Sequence, residues 1–211
     1  MQKIAWLLIL AGTIFIGYNL YHWWGESSIA EHNPRLAQSI DTNWNDQTAK
    51  PQMSQGIKLE LPAAGQGENI GKLIIPKLGL IIPVVKGTDQ ESLKKGVGLY
   101  QGHGTVNPGE TGHVVLSGHR DTVFRDLGKL QSGDRLYIKY GDKIFTYQIR
   151  KHWITGAEDR TVIVPDPAPV LTVTTCYPFD YVGDAPDRYI IRAELIDIKN
   201  ASATTAETHS S

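Results

Sequence analysis

Leu171-Thr172-Val173-Thr174-Thr175-Cys176-Tyr177-Pro178 is the stretch on which the reading of this chain turns. Its first five residues are strand formers, whereas Tyr177-Pro178-Phe179-Asp180 is rich in turn residues. Cys176, the only cysteine of the chain, therefore stands where a strand ends. Two other residues hold comparable places. His119 closes an earlier strand-like run, His113 to Ser117, and Arg188 opens a later one, Arg188 to Leu195. A cysteine, a histidine and an arginine at three strand termini can converge on one rim. A free cysteine is more often a small buried hydrophobe, so the weight rests on its company rather than on the thiol.

Outward from this stretch, further β-like runs separated by Gly and Pro cover Gly71 to Ile75, Leu80 to Val85, Arg135 to Tyr140, Lys143 to Ile154 and Val170 to Cys176, and the last run extends from Arg188 to Ile198. Many short strands with frequent turn signals suggest an all-β barrel or sandwich. Tyr140-Gly141-Asp142-Lys143 reads as a tight hairpin turn. Thr88 to Lys95 is expected to form a short helix with Thr88 as N-cap and Glu91 three residues later. Val123 to Leu130, with apolar residues at 123, 124, 127 and 130, suits another helical turn.

A chain of 211 residues with 41% hydrophobic content can bury one real core. Its formal charge of −1 gives no basic surplus for nucleic acid. One cysteine permits no internal disulfide. From Ile4 to Gly25 there is no Asp, Glu, Lys or Arg, with Lys3 before the run, Glu26 and Glu31 after it, and Tyr18, Tyr21, Trp23 and Trp24 crowding its far end. This predicts an uncleaved single-pass membrane anchor over residues 1–25, with a cytoplasmic N-terminus and the bulk of the chain outside the plasma membrane. Residues 26–68 are polar and without periodicity and read as a tether, with a helical patch around Arg35 to Ile40; residues 199–211 read as a flexible tail.

The chemistry open to the three residues is specific. A cysteine thiol at its ordinary pKa is only about 3% thiolate at pH 7, so a nucleophilic Cys176 needs a partner. His119 supplies one and, as imidazolium, can protonate a leaving amine. Arg188 stays charged and can donate to the oxyanion of a tetrahedral intermediate. Arg192 is the rival, on the same strand face but about 13 Å further along. Asp121 can orient His119, although Arg120-Asp121-Thr122 reads equally well as a turn. His103, His113 and His119 are too irregularly spaced for a zinc site, and no metal or other cofactor is expected.

Ser117-Gly118-His119-Arg120-Asp121-Thr122, the segment Thr172-Val173-Thr174-Thr175-Cys176 and an arginine twelve residues further on resemble the sortases, bacterial cysteine transpeptidases that attach proteins to the cell envelope. The second segment matches the family's T-L-x-T-C signature with valine in place of leucine. The texture of Pro108-Gly109-Glu110 and of Thr175-Cys176-Tyr177-Pro178-Phe179 is most similar to class D. The resemblance covers residues 69–198 and implies a closed barrel of about eight strands with one or two short helices. It also implies cleavage of an LPxT-type sorting signal after Thr through a thioacyl intermediate, and transfer of the surface protein to a peptidoglycan precursor or another envelope amine. Cys176, His119 and Arg188 fall on the family's catalytic positions. Thr175 and Tyr177 flank the nucleophile and are expected to line the cleft. Val162, Ile163 and Val164 fall where the family walls its sorting-signal pocket. Glu158 and Asp159 lie in a loop that helps bind calcium in some members, although two acids in a turn are more often simply solvated.

Three other readings compete. An L,D-transpeptidase places glycine before its cysteine, where Thr175 stands here, and a papain-like protease has its cysteine before its histidine. A non-catalytic β-barrel binding module would bury Cys176, and alkylation of the folded protein separates that case.

Overall fold

The computed structural model describes residues 2–27, 29–180, 183 and 185–201, with side chains described up to residue 19 in the first segment. Among the described residues there are three α-helices, α1 (Gln2–Ser27), α2 (Pro34–Gln38) and α3 (Gln90–Leu93). There are nine strands, β1 (Glu31–His32), β2 (Asn69–Ile75), β3 (Leu80–Lys86), β4 (Val97–Leu99), β5 (His113–Ser117), β6 (Arg135–Tyr140), β7 (Lys143–Gly156), β8 (Val170–Tyr177) and β9 (Asp187–Asn200). Neighbours follow the order β1-β3-β2-β6-β7-β9-β8-β5-β4, and β4 also pairs with β3, which closes β2 to β9 into an eight-stranded barrel. The expected all-β closed barrel with short helices is therefore found. Two of its contacts, β3 with β4 and β5 with β8, are parallel.

Alternation places Leu73, Ile75, Leu136, Ile138 and Phe145 in the barrel interior. Their neighbours Ile74, Tyr137 and Ile144 point outward and are nevertheless buried, because Ala37 of α2, with Ile40 and Trp44, covers them. Strands buried on both faces read as continuous apolar runs, which is the pattern of Leu73-Ile74-Ile75 and of Leu80 to Val85. The β6–β7 hairpin turns where expected, with Tyr140 paired to Lys143 and Gly141 at φ 60°, a left-handed conformation that suits glycine. The short helix after β3 forms, but Asp89 rather than Thr88 caps it, its carboxylate accepting from the N–H groups of Glu91 and Ser92 at 3.1 Å. Around 123–130 only Leu127–Lys129 is helical, as a single 3-10 turn, with Val123, Phe124, Leu127 and Leu130 packed into the core.

The membrane-spanning helix expected at the N-terminus is corrected by the structure. Among the described residues no helix is long and apolar enough to cross a membrane. The residues over 2–27 do form a helix, but its described apolar stretch lies between Gln2-Lys3 and Asn19 and is broken by Thr13. The single-pass topology and the plasma-membrane placement built on that helix fall with it. Tyr21, Trp23 and Trp24, read as interfacial aromatics, lie outside the described side chains, and the expected tail beyond Ala201 lies outside the described residues.

The polar segment after α1 runs along the barrel as a strap. Asn33 donates its backbone N–H to the Gly79 carbonyl at 2.8 Å, Met53 to Leu195 at 2.8 Å and Ile57 to Gly109 at 2.8 Å. Gln148 on β7 accepts from the Lys50 N–H and donates to the Thr48 carbonyl, each at 2.9 Å. Arg135, 6% exposed, sits between Asp46 at 3.0 Å and Asp41 at 3.6 Å, and Asp41 also accepts from the Tyr137 hydroxyl. The hydrogen-bonding side chains that deny this segment a core of its own let it satisfy the polar groups on the barrel's outside.

Candidate active site

Three adjacent strands, β9, β8 and β5, carry the residues singled out in the sequence. Leu171 and Val173 on β8 and Tyr189 and Ile191 on β9 face the core, so alternation turns Thr172, Thr174 and Cys176, and Arg188, Ile190 and Arg192, to the outer face. Cys176 is the direct cross-strand partner of Arg188. On the other side, parallel β5 pairs Ser117 with Thr174. Two residues beyond that pair on each chain stand Cys176, still on β8, and His119, just past the end of β5.

The chain leaving β5 is tied to β8 just before these two residues. Gly118 donates its N–H to the Thr174 carbonyl at 3.2 Å, and Thr175 donates its hydroxyl to the Gly118 carbonyl at 2.8 Å. A Cβ on Gly118 would come within 2.6 Å of the Phe124 ring and 2.8 Å of Val123, so only glycine lets the following turn fold beneath it. That turn is closed by the Phe124 N–H on the His119 carbonyl at 3.0 Å. Arg188 is half-buried, and its Nη1 donates to the carbonyls of Asp187 at 2.9 Å and Ala185 at 3.2 Å. Cys176 is a free, half-buried thiol, and His119 is half-buried too.

The remaining sequence candidates divide sharply. Thr175, expected to line the cleft, is 3% exposed and faces inward, because alternation sends it to the opposite face from Cys176. It positions Gly118 instead. Asp121 is exposed, and its carbonyl accepts from Arg125 at 2.8 Å. Arg192 pairs across β8 with Thr172, four residues before Cys176, and its guanidinium is engaged by the Asp166 carboxylate. His113 is fully buried; its Nδ1–H donates to the Val164 carbonyl at 2.8 Å and its Nε2 accepts from the Thr172 hydroxyl at 2.7 Å. Burial, chiefly, holds its pKa below the ordinary imidazole value.

Val164 and Asp166 belong to the β7–β8 connection, residues 157–169, which those two contacts fasten over the outer face. Val162 and Ile163 are half-buried in it, and Val164 is 42% exposed. Asp159 braces its start by accepting from the Thr155 hydroxyl at 2.5 Å and the Thr161 hydroxyl at 2.6 Å, which lowers its pKa. Glu158 beside it is exposed, and among the described residues no group of three His, Cys, Asp or Glu side chains could hold a metal ion.

The sequence did not single out a second feature. A cavity of about 710 Å³ opens at the barrel mouth, on the inner side of the same strand ends, lined by Tyr177, Phe179, Tyr189, His152, Trp153 and Ile154 together with the charged residues Arg125, Asp126, Lys129 and Asp180. Its signal was present in the chain, because Tyr177 and Tyr189 are the residues next to Cys176 and Arg188 and alternation must turn them to the other face.

The family model described as the Sortase domain matches residues 73–196. The chain belongs to the sortase family. It is 39% identical to sortase D of Bacillus subtilis (strain 168) over 93% of this chain and 100% of that protein. The catalytic domain of B. anthracis SrtD shares 50% identity at a TM-score of 0.58, covering 68% of this chain and 97% of that one. A sortase D transpeptidase of Clostridium perfringens shares 30% identity at a TM-score of 0.57, over 64% and 83% of the two chains. The class D likeness read from the sequence is therefore shown, and this sortase is a thiol transpeptidase acting on surface proteins of the bacterial cell wall. Valine in the T-V-x-T-C segment is Val173, whose side chain packs in the core, where either aliphatic residue serves.

Proposed function

We propose that this sortase cleaves an LPxT-type sorting signal after its threonine and transfers the acyl portion to an amine of the cell envelope, such as that of a peptidoglycan precursor. The catalytic unit in this reading is the barrel from residue 69 to 198. The observation that carries it is the cross-strand pair of Cys176 and Arg188, with His119 two residues beyond the neighbouring Ser117–Thr174 pair. The Cys176 thiolate attacks the threonine carbonyl carbon, and negative charge gathers on the carbonyl oxygen next to the Arg188 guanidinium. Collapse breaks the C–N bond, and the His119 imidazolium gives its proton to the departing amine. An incoming amine then attacks the thioester, its proton passes through His119, and Cys176 leaves as the thiol.

The sorting signal in this reading lies on the outer face of β5, β8 and β9, against the connection that carries Val162, Ile163 and Val164. Their apolar side chains suit its leucine. Tyr177 borders Cys176 in the chain, and Asp121 at the start of the following turn is close enough in sequence to orient His119. Incubation with candidate LPxTx peptides followed by mass spectrometry is the direct test. A thioacyl adduct on Cys176, absent from Cys176→Ala, is the expected result; turnover by Cys176→Ala would remove the nucleophile assignment.

A further inference from the structure

We propose that Arg120 is a positioning residue: its hydrogen bond to the Gly183 carbonyl holds the His119 turn against the β8–β9 connection, residues 178–186, and so keeps the imidazole in reach of Cys176; this rests on the transpeptidase reading above. The three reactive groups are not equally secured. Cys176 and Arg188 are locked as partners in the β8–β9 ladder. His119 stands past the end of β5, outside the ladder, and its place depends on what holds the turn that it opens.

That turn is tied on two sides. On the core side, the buried Thr175 hydroxyl donates to the Gly118 carbonyl at 2.8 Å, and the N–H of buried Phe124 closes the turn on the His119 carbonyl at 3.0 Å. On the solvent side, half-buried Arg120 donates from Nη2 to the carbonyl of exposed Gly183 at 2.7 Å, joining residues 63 apart in the chain. A guanidinium donor makes this a charge-assisted bond, stronger than one between neutral groups. The residue next to His119 is thus fastened to the connection that follows Cys176.

The far end of the bond belongs to the segment that also holds Arg188. Arg188 Nη1 donates to the carbonyls of Ala185 at 3.2 Å and Asp187 at 2.9 Å, just beyond Gly183 in the chain. One stretch of backbone therefore accepts from the arginine beside the general acid and from the oxyanion donor, and the Arg120 bond sets the spacing between them. Gly183 has φ 105°, in the region that favours glycine, so a side chain there would turn its carbonyl away from Arg120. Arg120 acts through His119, by placement: a misplacement of about 1 Å in a reacting group can cost about a hundredfold in rate.

The test is a double-mutant cycle on one LPxTx peptide. Arg120→Ala should lower kcat about tenfold, with KM and the melting temperature close to those of the wild-type protein, and Arg120→Lys, which still offers a charged donor, should recover most of the loss. Gly183→Ala should lower kcat to a similar extent, and the double variant should be no slower than the slower single one, because both substitutions break one bond. Additive losses, or a kcat in Arg120→Ala within about twofold of wild type, would overturn the positioning role. Failure of the wild-type protein to cleave any such peptide removes the transpeptidase assignment instead. In that event alkylation of Cys176, the sole thiol of the chain, reads the placement of His119 without substrate. The pH profile of the alkylation rate in Arg120→Ala should move toward that of His119→Ala, and a profile that overlays the wild-type one overturns this proposal too.

Discussion

At the rim, Cys176 and Arg188 are set side by side by backbone pairing, His119 stands just past the end of the neighbouring strand, and all three side chains remain half-buried. On the flank, Arg135 is 6% exposed, wedged between Asp41 and Asp46 of the strap. Both regions concentrate charge on one barrel, yet their architectures differ. The rim borrows its geometry from β-ladders that would form whatever side chain stood at 176 or 188. The flank, apart from a few backbone hydrogen bonds, depends on its side chains. Substitutions at the rim should therefore alter rate with little change in stability, and substitutions on the flank should do the reverse.

The largest expected effect is at Arg188. Arg188→Ala should lower kcat by about 10² to 10³, the loss found when an oxyanion donor is deleted, while the melting temperature stays close to that of the unaltered protein. Arg188→Lys keeps the charge but not the planar fork and should recover only part of the rate. Arg192→Ala is the informative neighbour. It strips Asp166 of its partner and loosens the β7–β8 connection, so KM for the peptide should rise more than kcat falls. A crippled kcat in Arg192→Ala with a normal one in Arg188→Ala would reverse the two roles.

Next comes the flank. Asp41, whose side chain is 7% exposed, accepts from Tyr137 and faces Arg135. Asp41→Ala leaves a buried guanidinium short of one carboxylate and should cost about 3 kcal/mol, or roughly 6 to 12 °C in melting temperature for a chain of this size. The kcat of the folded fraction should be unchanged. A chain beginning at residue 57 removes most of the strap, exposes the outward apolar side of β2 and β6, and should melt lower still. Equal melting of the shortened and full chains would show that the strap is an ornament on a self-sufficient barrel.

The same contrast explains what was legible in the sequence. β8 and its neighbours were readable because strand termini and turns are written locally, and three chemically apt residues at three termini already imply a rim. β4 escaped notice because Val97-Gly98-Leu99 is too short to show any period. The capping residue was placed one position early because Thr88 and Asp89 are both suitable caps, and their local sequence does not rank them. The strap was read as a tether because polarity excludes a core of its own but is silent about docking. Its partners, Gln148, Arg135 and Leu195, lie 89 or more residues away in the chain. The N-terminal run misled for a related reason: absence of charge was taken as sufficient, whereas the described helix is also interrupted by polar side chains.

The smallest expected effect concerns His113, which lies between the two regions in character, a buried polar residue that fastens the β7–β8 connection. Its neutral ring donates from Nδ1 to the Val164 carbonyl and accepts at Nε2 from Thr172. Burial lowers its pKa, and the Arg192 charge acts the same way while Asp166 opposes it. In the unfolded chain the imidazole titrates near its ordinary value of 6.5. Above that pH neither state binds the proton and the neutral ring contributes its full stability. As the pH falls below about 6.5, the unfolded state takes up a proton that the folded ring refuses, so stability declines until the lowered folded value is reached. The melting temperature should therefore drop between pH 7.5 and pH 5, and His113→Gln, which still offers a donor and an acceptor, should flatten that part of the profile while lowering stability at pH 7.5. An unchanged slope in the variant would mean that other groups carry the titration and that His113 does not hold the connection through its neutral form.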